Sequence, residues 1–310
     1  MITTVATLLG GLILLLFSTQ KFVELAKTIS TALRVSPLII GITIVAIGTS
    51  IPEIVVSLTS SLSGDTGLAL GNIIGSNIIN ILMVLPVGIL IGKLKIGTIK
   101  TQRNAVLLLV ITAAFFVFQF FPSLRTVFGI VMIGLSVVFS IYQYQMGING
   151  RMHEDVRRLA ATKQAKLHLS MILQGLLMLL AIVFGGILVV KSVESISLSS
   201  GISTTILGLT LTAIATSLPE LLTTIFSQKG KQEKIAVGNI IGSNIYNLLL
   251  IGGLIMFFPA SESLPIKEWL WLAGATVGFV SILRYYSGKK PPRWIAIALL
   301  FILIAYLSFQ

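Results

Sequence analysis

Two stretches of the chain, 41–84 and 208–251, are copies of one another. The first reads GITIVAIGTSIPEIVVSLTSS…LALGNIIGSNIINILMV and the second GLTLTAIATSLPELLTTIFSQ…IAVGNIIGSNIYNLLLI. At a constant offset of 167 residues and with no gap, 20 of the 44 positions are identical. That is too many for shared hydrophobicity alone, so the chain contains an internal repeat, and its fold has to accommodate two equivalent units.

The solvent for those units follows from composition. Of the 310 residues, 55% are hydrophobic and 10% charged, and the mean hydropathy is +1.01. Soluble domains carry about 25% charged residues, so an ordinary cytosolic enzyme and a disordered chain are both excluded. Hydropathy marks ten candidate membrane helices, at 3–28, 37–61, 67–91, 104–121, 126–147, 169–194, 204–227, 235–258, 267–285 and 293–309. The first apolar run has no Lys or Arg before it and reads as a true span, not as a signal peptide. Residues 148–168, polar and basic, divide the chain into a first five-helix unit at 1–147 and a second at 169–310.

Basic residues sort by loop. Loops after odd helices hold Arg34; Lys93, Lys95, Lys100 and Arg103; Arg151, Arg157, Arg158, Lys163 and Lys166; Lys229, Lys231 and Lys234; and Lys289, Lys290 and Arg293. Loops after even helices hold only Asp65, Arg125, Glu262, Lys267 and Glu268. The positive-inside rule places both termini outside and 148–168 in the cytoplasm, with the plasma membrane as the default location. The net charge of +12 is thereby read as loop bias, not as a nucleic-acid footprint. Trp269 and Trp294 are expected as interface anchors near opposite ends of the last two helices.

Each repeat copy falls on the second and third helix of its unit, and each unit has an odd number of helices. The second copy must then enter the membrane from the opposite side. The expected fold is an all-α polytopic membrane protein, ten transmembrane helices as two inverted-topology five-helix repeats. In secondary transporters of that architecture the site lies near the midplane, where the repeats meet.

The chemistry sits inside the repeat. Of ten acidic residues, only Glu53 and Glu220 are expected deep in a membrane helix, where a carboxylate is costly and marks function. Thr49 and Thr216 precede them by four residues, on the same helix face, with Ser50 and Ser217 beside them. Pro52 and Pro219 interrupt each helix immediately before its Glu. They are expected to free carbonyls near Ala46 and Gly48, and near Ala213 and Ala215, for a role as ligands. On the third helix of each unit, Asn72, Ser76 and Asn80, and again Asn239, Ser243 and Asn247, form polar stripes at four-residue spacing. Ser76, Ser243, Asn80 and Asn247 read as pore-facing. Asn72 and Asn239 read evenly between a place in that polar site and a packing or helix-ending role. Gly71 and Gly75, like Gly238 and Gly242, make a small-residue face that lets another helix approach closely.

All these donors are oxygens or amides. There is no cysteine, and His153 and His168 fall in the central loop, so zinc and copper are poorly served and hard cations are favoured. Ca2+ takes six to eight oxygens in flexible geometry, which suits two Glu and two Thr segments better than it suits Mg2+. Two Glu give a charge of −2, which one Ca2+ or two Na+ neutralises. Protons are a physically legal counter-ion as well.

The pairing of GTSIPE with GNIIGSNIIN, and of ATSLPE with GNIIGSNIYN, resembles the paired alpha repeats of the sodium/calcium exchanger family within the calcium/cation antiporter superfamily. The likeness extends over the whole chain and is to a compact, prokaryotic-type member. It implies a diamond of ion sites at the midplane. Glu53, Glu220, Thr49 and Thr216 would bind Ca2+. Ala46, Ser50 and Ser76 on one side, and Ala213, Ser217 and Ser243 on the other, would bind Na+, with Asn80 and Asn247 completing the centre. It implies exchange of Na+ for Ca2+ by alternating access, no cofactor, and long first and sixth helices that slide across the core. Their charged tails here are Lys21, Glu24 and Lys27, and Lys191 and Glu194. Proton/calcium exchangers are similar to one another in carrying an acid within the third-helix GNxxE motif. GNIIGS has none, which favours Na+. Asn247, where potassium-dependent exchangers have Asp, argues against K+ coupling. Ala215 stands where the first repeat has Gly48. The alternatives are an H+/Ca2+ or other cation exchanger and, in a different class, a cation channel. An ATPase is disfavoured because no GxxxxGK[ST] loop is present. Partners are Ca2+, Na+ and the lipid bilayer, not nucleic acid. The sequence does not set the oligomeric state.

Overall fold

The computed structural model describes residues 2–33, 37–92, 94, 96, 98–149, 168–198, 203–230, 233–260 and 264–310. Arg34, Lys93, Lys95, His153, Lys231, Glu262 and all the basic residues of the central linker lie outside the described residues. Within them the chain is helical apart from one antiparallel bridge between Ile96 and Lys289. The rods are α1 (Ile2–Leu33), α2a (Leu38–Thr49), α2b (Ile51–Leu62), α3 (Thr66–Ile91), α4 (Ile99–Phe118), α5 (Arg125–Asn149), α6 (Leu169–Leu198), α7a (204–216), α7b (Leu218–Lys229), α8 (Glu233–Ile255), α9 (Ile266–Tyr285) and α10 (Arg293–Ser308). Eight spans are long and apolar enough to cross a bilayer, and α2a with α2b makes a ninth if the pair is one bent span. α10, at 16 residues, rises about 24 Å, somewhat short of a hydrocarbon core of about 30 Å.

Burial divides the rods into a core and a shell. The most apolar stretch of α8 is 94% buried and that of α3 83%, against 28% for α1 and for α6. α1 and α6 run along each other, backbone to backbone where Gly11 meets Gly185, and turn Ile13, Phe17, Leu176 and Leu180 outward, where lipid can cover them.

At the centre the two repeat copies cross reciprocally. A Cβ on Gly238 of α8 would lie 2.6 Å from the Leu38 carbonyl of α2a, and one on Gly208 of α7a would lie 2.6 Å from the Leu68 carbonyl of α3. Gly41 and Gly71 face those same crossings. The next contact down each interface sets Gly75 against Ala213 and Gly242 against Ala46. The small-residue face expected on the third helices is thus occupied, in each case by the broken helix of the other repeat.

Four π-helical turns also recur at the 167-residue offset: Gly41–Val45 and Gly208–Thr212, and Asn80–Val84 and Asn247–Ile251. A π-turn leaves one backbone group out of the ordinary ladder and is common at functional sites.

Two sequence expectations fail here. Trp269 is not an interface anchor. It is buried, 5.7 Å from Phe115 and 5.3 Å from Phe116 between ring centroids, whereas Trp294 is exposed as expected. Glu268, grouped in the sequence with the loop after the eighth helix, lies in a helix instead. Glu268, in the first turn of α9, is fully buried, 3.4 Å from Lys267 Nζ and bonded by Gln310 Nε2 at 3.0 Å. Depth along the chain was readable in both cases, but the face turned inward was not.

Candidate functional site

The break in each second helix falls two residues earlier than its proline. Ser50 and Ser217 sit at φ −83°, ψ 5° and φ −80°, ψ 1°, out of helical geometry, and Pro52 and Pro219 open the next helical segment. Proline needs no N–H partner in a first turn, so it is tolerated there. The axis between α2a and α2b bends by 40°. Glu53 and Glu220 thereby fall in the first turn of α2b and α7b, where the helix dipole favours a negative charge.

The freed carbonyls differ from expectation. Ala46 O still accepts the Ser50 N–H at 3.0 Å, and Ala213 O the Ser217 N–H at 3.0 Å, with Thr49 Oγ1 and Thr216 Oγ1 also donating to them. These two carbonyls keep their helix bonds. Pro52 and Pro219 deprive the carbonyls four residues earlier, on Gly48 and Ala215. Gly48 has a packing role as well: a Cβ there would lie 2.5 Å from Leu179 of α6.

Every sequence-nominated residue is brought to one buried region. Glu53, Thr49, Ser76, Asn80, Ala46, Glu220, Thr216, Ser217, Ser243, Asn247 and Ala213 are fully buried, and Ser50 nearly so. Bonds cross between repeats: Thr49 Oγ1 donates to Asn239 Oδ1 at 3.0 Å and Thr216 Oγ1 to Asn72 Oδ1 at 3.2 Å. Ser76 Oγ and Thr216 Oγ1 are 3.2 Å apart. Asn72 and Asn239 therefore hold the threonines across the repeat boundary. Their place in the same four-residue stripe as Ser76 and Asn80 was the signal for this. Ser57 was not nominated; its Oγ accepts Asn72 Nδ2 at 3.1 Å.

The two acids are unequally served. Glu220 Oε1 accepts Ser50 Oγ at 3.2 Å, from the other repeat, and Ser243 Oγ at 3.1 Å, from its own. Glu220 Oε2, both oxygens of Glu53, the Ser217 hydroxyl and both amide atoms of Asn80 and of Asn247 have no protein partner. No Lys or Arg among the described residues pairs with either acid. Nor do three or more His, Cys, Asp or Glu gather anywhere among them, as a soft-metal centre would require. What gathers is carboxylate, hydroxyl and amide, a donor set for hard cations.

Comparison with known proteins decides the affiliation. The family model described as sodium/calcium exchanger protein matches residues 3–145 and 170–310, one stretch on each side of the linker. The chain belongs to the sodium/calcium exchanger family. Within it, the chain is 29% identical to the sodium/calcium exchanger MaX1 of Methanosarcina acetivorans, over 97% of this chain and 96% of that one. It is 32% identical to the inner membrane protein YrbG of Escherichia coli, over 86% and 83%. A solved structure of the sodium-calcium exchanger NCX_Mj, soaked with 100 mM Na+ and 10 mM Sr2+, superposes with a TM-score of 0.78 at 28% identity, covering 100% of this chain and 99% of that one. The family is one of transporters, and this chain is a compact, multi-pass member of it.

Proposed function

We propose that this protein exchanges Na+ for Ca2+ across the membrane by alternating access, binding both at the cluster built on Glu53 and Glu220. One observation carries the reading: two fully buried carboxylates, one from each repeat, share an all-oxygen and amide surround with no basic partner among the described residues. Leaving two ionised carboxylates buried costs several kcal/mol per ion. One Ca2+ or two Na+ cancels the charge of −2, so the loaded carrier switches sides and the empty one does so poorly. Exchange coupling follows from that electrostatic difference.

Glu53, Glu220, Thr49 and Thr216 supply the Ca2+ site. Ser50 and Ser76 with the Ala46 carbonyl, and Ser217 and Ser243 with the Ala213 carbonyl, supply the Na+ sites. Each of those carbonyls has a second lone pair beyond its helix bond, which the threonine hydroxyl gives up to the ion while keeping its bond to the asparagine of the other repeat. Asn80 and Asn247 close the centre through amide atoms that have no protein partner. The absence of an acid in GNIIGS, and the exchanger names of the Methanosarcina relative and the structural neighbour, support Na+ as the coupling ion. The reading has ten spans in two inverted five-helix repeats, 1–147 and 169–310, in the plasma membrane. Both termini lie outside and 148–168 is cytoplasmic.

The test is ion-linked stability of the purified protein. A ligand at a hundred times its Kd stabilises by about 2.7 kcal/mol. Ca2+ should raise the Tm of the parent and leave Glu53→Gln and Glu220→Gln unmoved. Equal stabilisation of both variants would remove the two-carboxylate site.

A further inference from the structure

A cavity of about 430 Å3 opens between α2b, the start of α3 and α6, with Val56, Thr59, Ser60, Asp65, Ile187 and Lys191 in its wall. Val56 and Ser60 lie three and seven residues after Glu53, so the wall of this opening is on the acid's face of the helix. At the 167-residue offset the same wall in the second repeat consists of Thr223, Phe226 and Ser227. That wall is shut. Thr223, Thr224 and Ser227 are fully buried, and none of their three hydroxyls has a hydrogen-bond partner. A file of unpaired buried hydroxyls running from Glu220 is costly as packing. Such a file suits the lining of a path that water and cations enter in another state.

At the end of that file stands Gln228, also buried. Its Nε2 donates to the Gly88 carbonyl of α3 at 3.1 Å. Its amide also fills the space beside Gly92, where a Cβ would overlap it. The last turn of α7b is thus tied to the end of α3. The other repeat lacks this amide tie. Carried on at the same offset, Gln228, Gly88 and Gly92 correspond to Ser61, Ile255 and Pro259. The hydroxyl of Ser61 is too short to span such a gap, and it has no partner. The corresponding corner of the first repeat is joined instead by the Thr66 hydroxyl at the start of α3, which donates to the Pro259 carbonyl at 3.1 Å; the glutamine tie exists on the closed side only, and the open cavity is on the other.

We propose that Thr223, Thr224 and Ser227 line the second, closed path for hard cations, and that Gln228 is the positioning residue that holds it shut through Gly88 and Gly92. The proposal rests on the alternating-access reading above. It makes the equilibrium between the two access states unequal by design of one repeat.

The chain has no cysteine, so single reporters can be placed in the full-length protein in proteoliposomes. Ser60→Cys reports the open side and Ser227→Cys the closed one, each challenged from either face with a membrane-impermeant cationic methanethiosulfonate. Ser227→Cys should be unreactive with the latch intact. Adding Gln228→Ala should raise its labelling rate by about fivefold to tenfold, the population shift that one buried hydrogen bond sustains. That labelling should come from the face opposite to the one that labels Ser60→Cys. Gly92→Ala, which evicts the Gln228 amide, should act the same way. Should it fail to fold, Gln228→Ser, which copies the first repeat, replaces it. Ser61→Ala should change neither rate. The proposal is overturned if Ser227→Cys stays unreactive with both Gln228 variants, or already reacts in the latched protein as fast as Ser60→Cys does. Na+-dependent Ca2+ uptake in the same vesicles separates the two claims. A labelling shift without exchange upholds the latch and rejects the exchange reading. Exchange without a labelling shift rejects the latch alone.

Discussion

Glu220 accepts two serine hydroxyls, whereas both oxygens of Glu53 have no protein partner. Equal positions in the repeat therefore carry unequal costs. Neutralising Glu53 removes an uncompensated buried carboxylate, so Glu53→Gln should raise the Tm of the ion-free protein by about 2–4 °C. Glu220→Gln forfeits bonds to a charged acceptor and should gain less. A larger gain for Glu220→Gln in differential scanning calorimetry would reverse this ranking. Both variants should lose Ca2+ transport. Asn247 is a second residue-scale test. It is fully buried and its amide atoms have no protein partner. On the proposed site, Asn247→Asp adds a third negative group and should change the dependence of Ca2+ transport on Na+ and K+. An ion profile identical to the parent's would place Asn247 outside the site.

Elements meet in this protein where side chains are missing. Gly238 touches the Leu38 carbonyl region of α2a, while Gly274 of α9 has nothing within 4 Å of where its Cβ would be. Gly238→Ala should destabilise by about 1–3 kcal/mol, the cost of overpacking. Gly274→Ala should instead stabilise by up to about 1 kcal/mol through helix propensity. Equal effects in denaturant titrations would mean the crossing is not tight. These crossings were half legible in the sequence. GNIIGS announced a helix that another could approach, and the self-match announced that there would be two. That each partner is the broken helix of the other repeat is a tertiary fact. The π-turns were not legible at all, because GITIV and NILMV read as ordinary apolar helical runs. The breaks were legible through Pro52 and Pro219. The ladder still survives at Ala46 and Ala213, because the chain breaks at the serines and not one turn earlier. Glu268 and Trp269 were misread because hydropathy gives depth, and facing depends on neighbours in space.

Over the whole molecule, the site belongs to neither repeat. Thr49 is held by Asn239 and Thr216 by Asn72, so each unit positions the other's threonine. Thr49→Ala and Asn239→Ala should then be non-additive in Ca2+ affinity, with a coupling energy of about 0.5–3 kcal/mol. Additive losses would show that the cross-repeat bond does not set the site. The all-helical, multi-pass class was legible at this scale from hydropathy, and the family from the duplicated motif. The unequal surroundings of the two acids were not legible, since the motifs around them are nearly identical in sequence. The central claim is coupled exchange, and radiolabelled Ca2+ uptake into proteoliposomes tests it most directly. Uptake should require an outward Na+ gradient, with K+ and pH gradients giving none. Uptake driven by the pH gradient in the absence of Na+ would contradict the account.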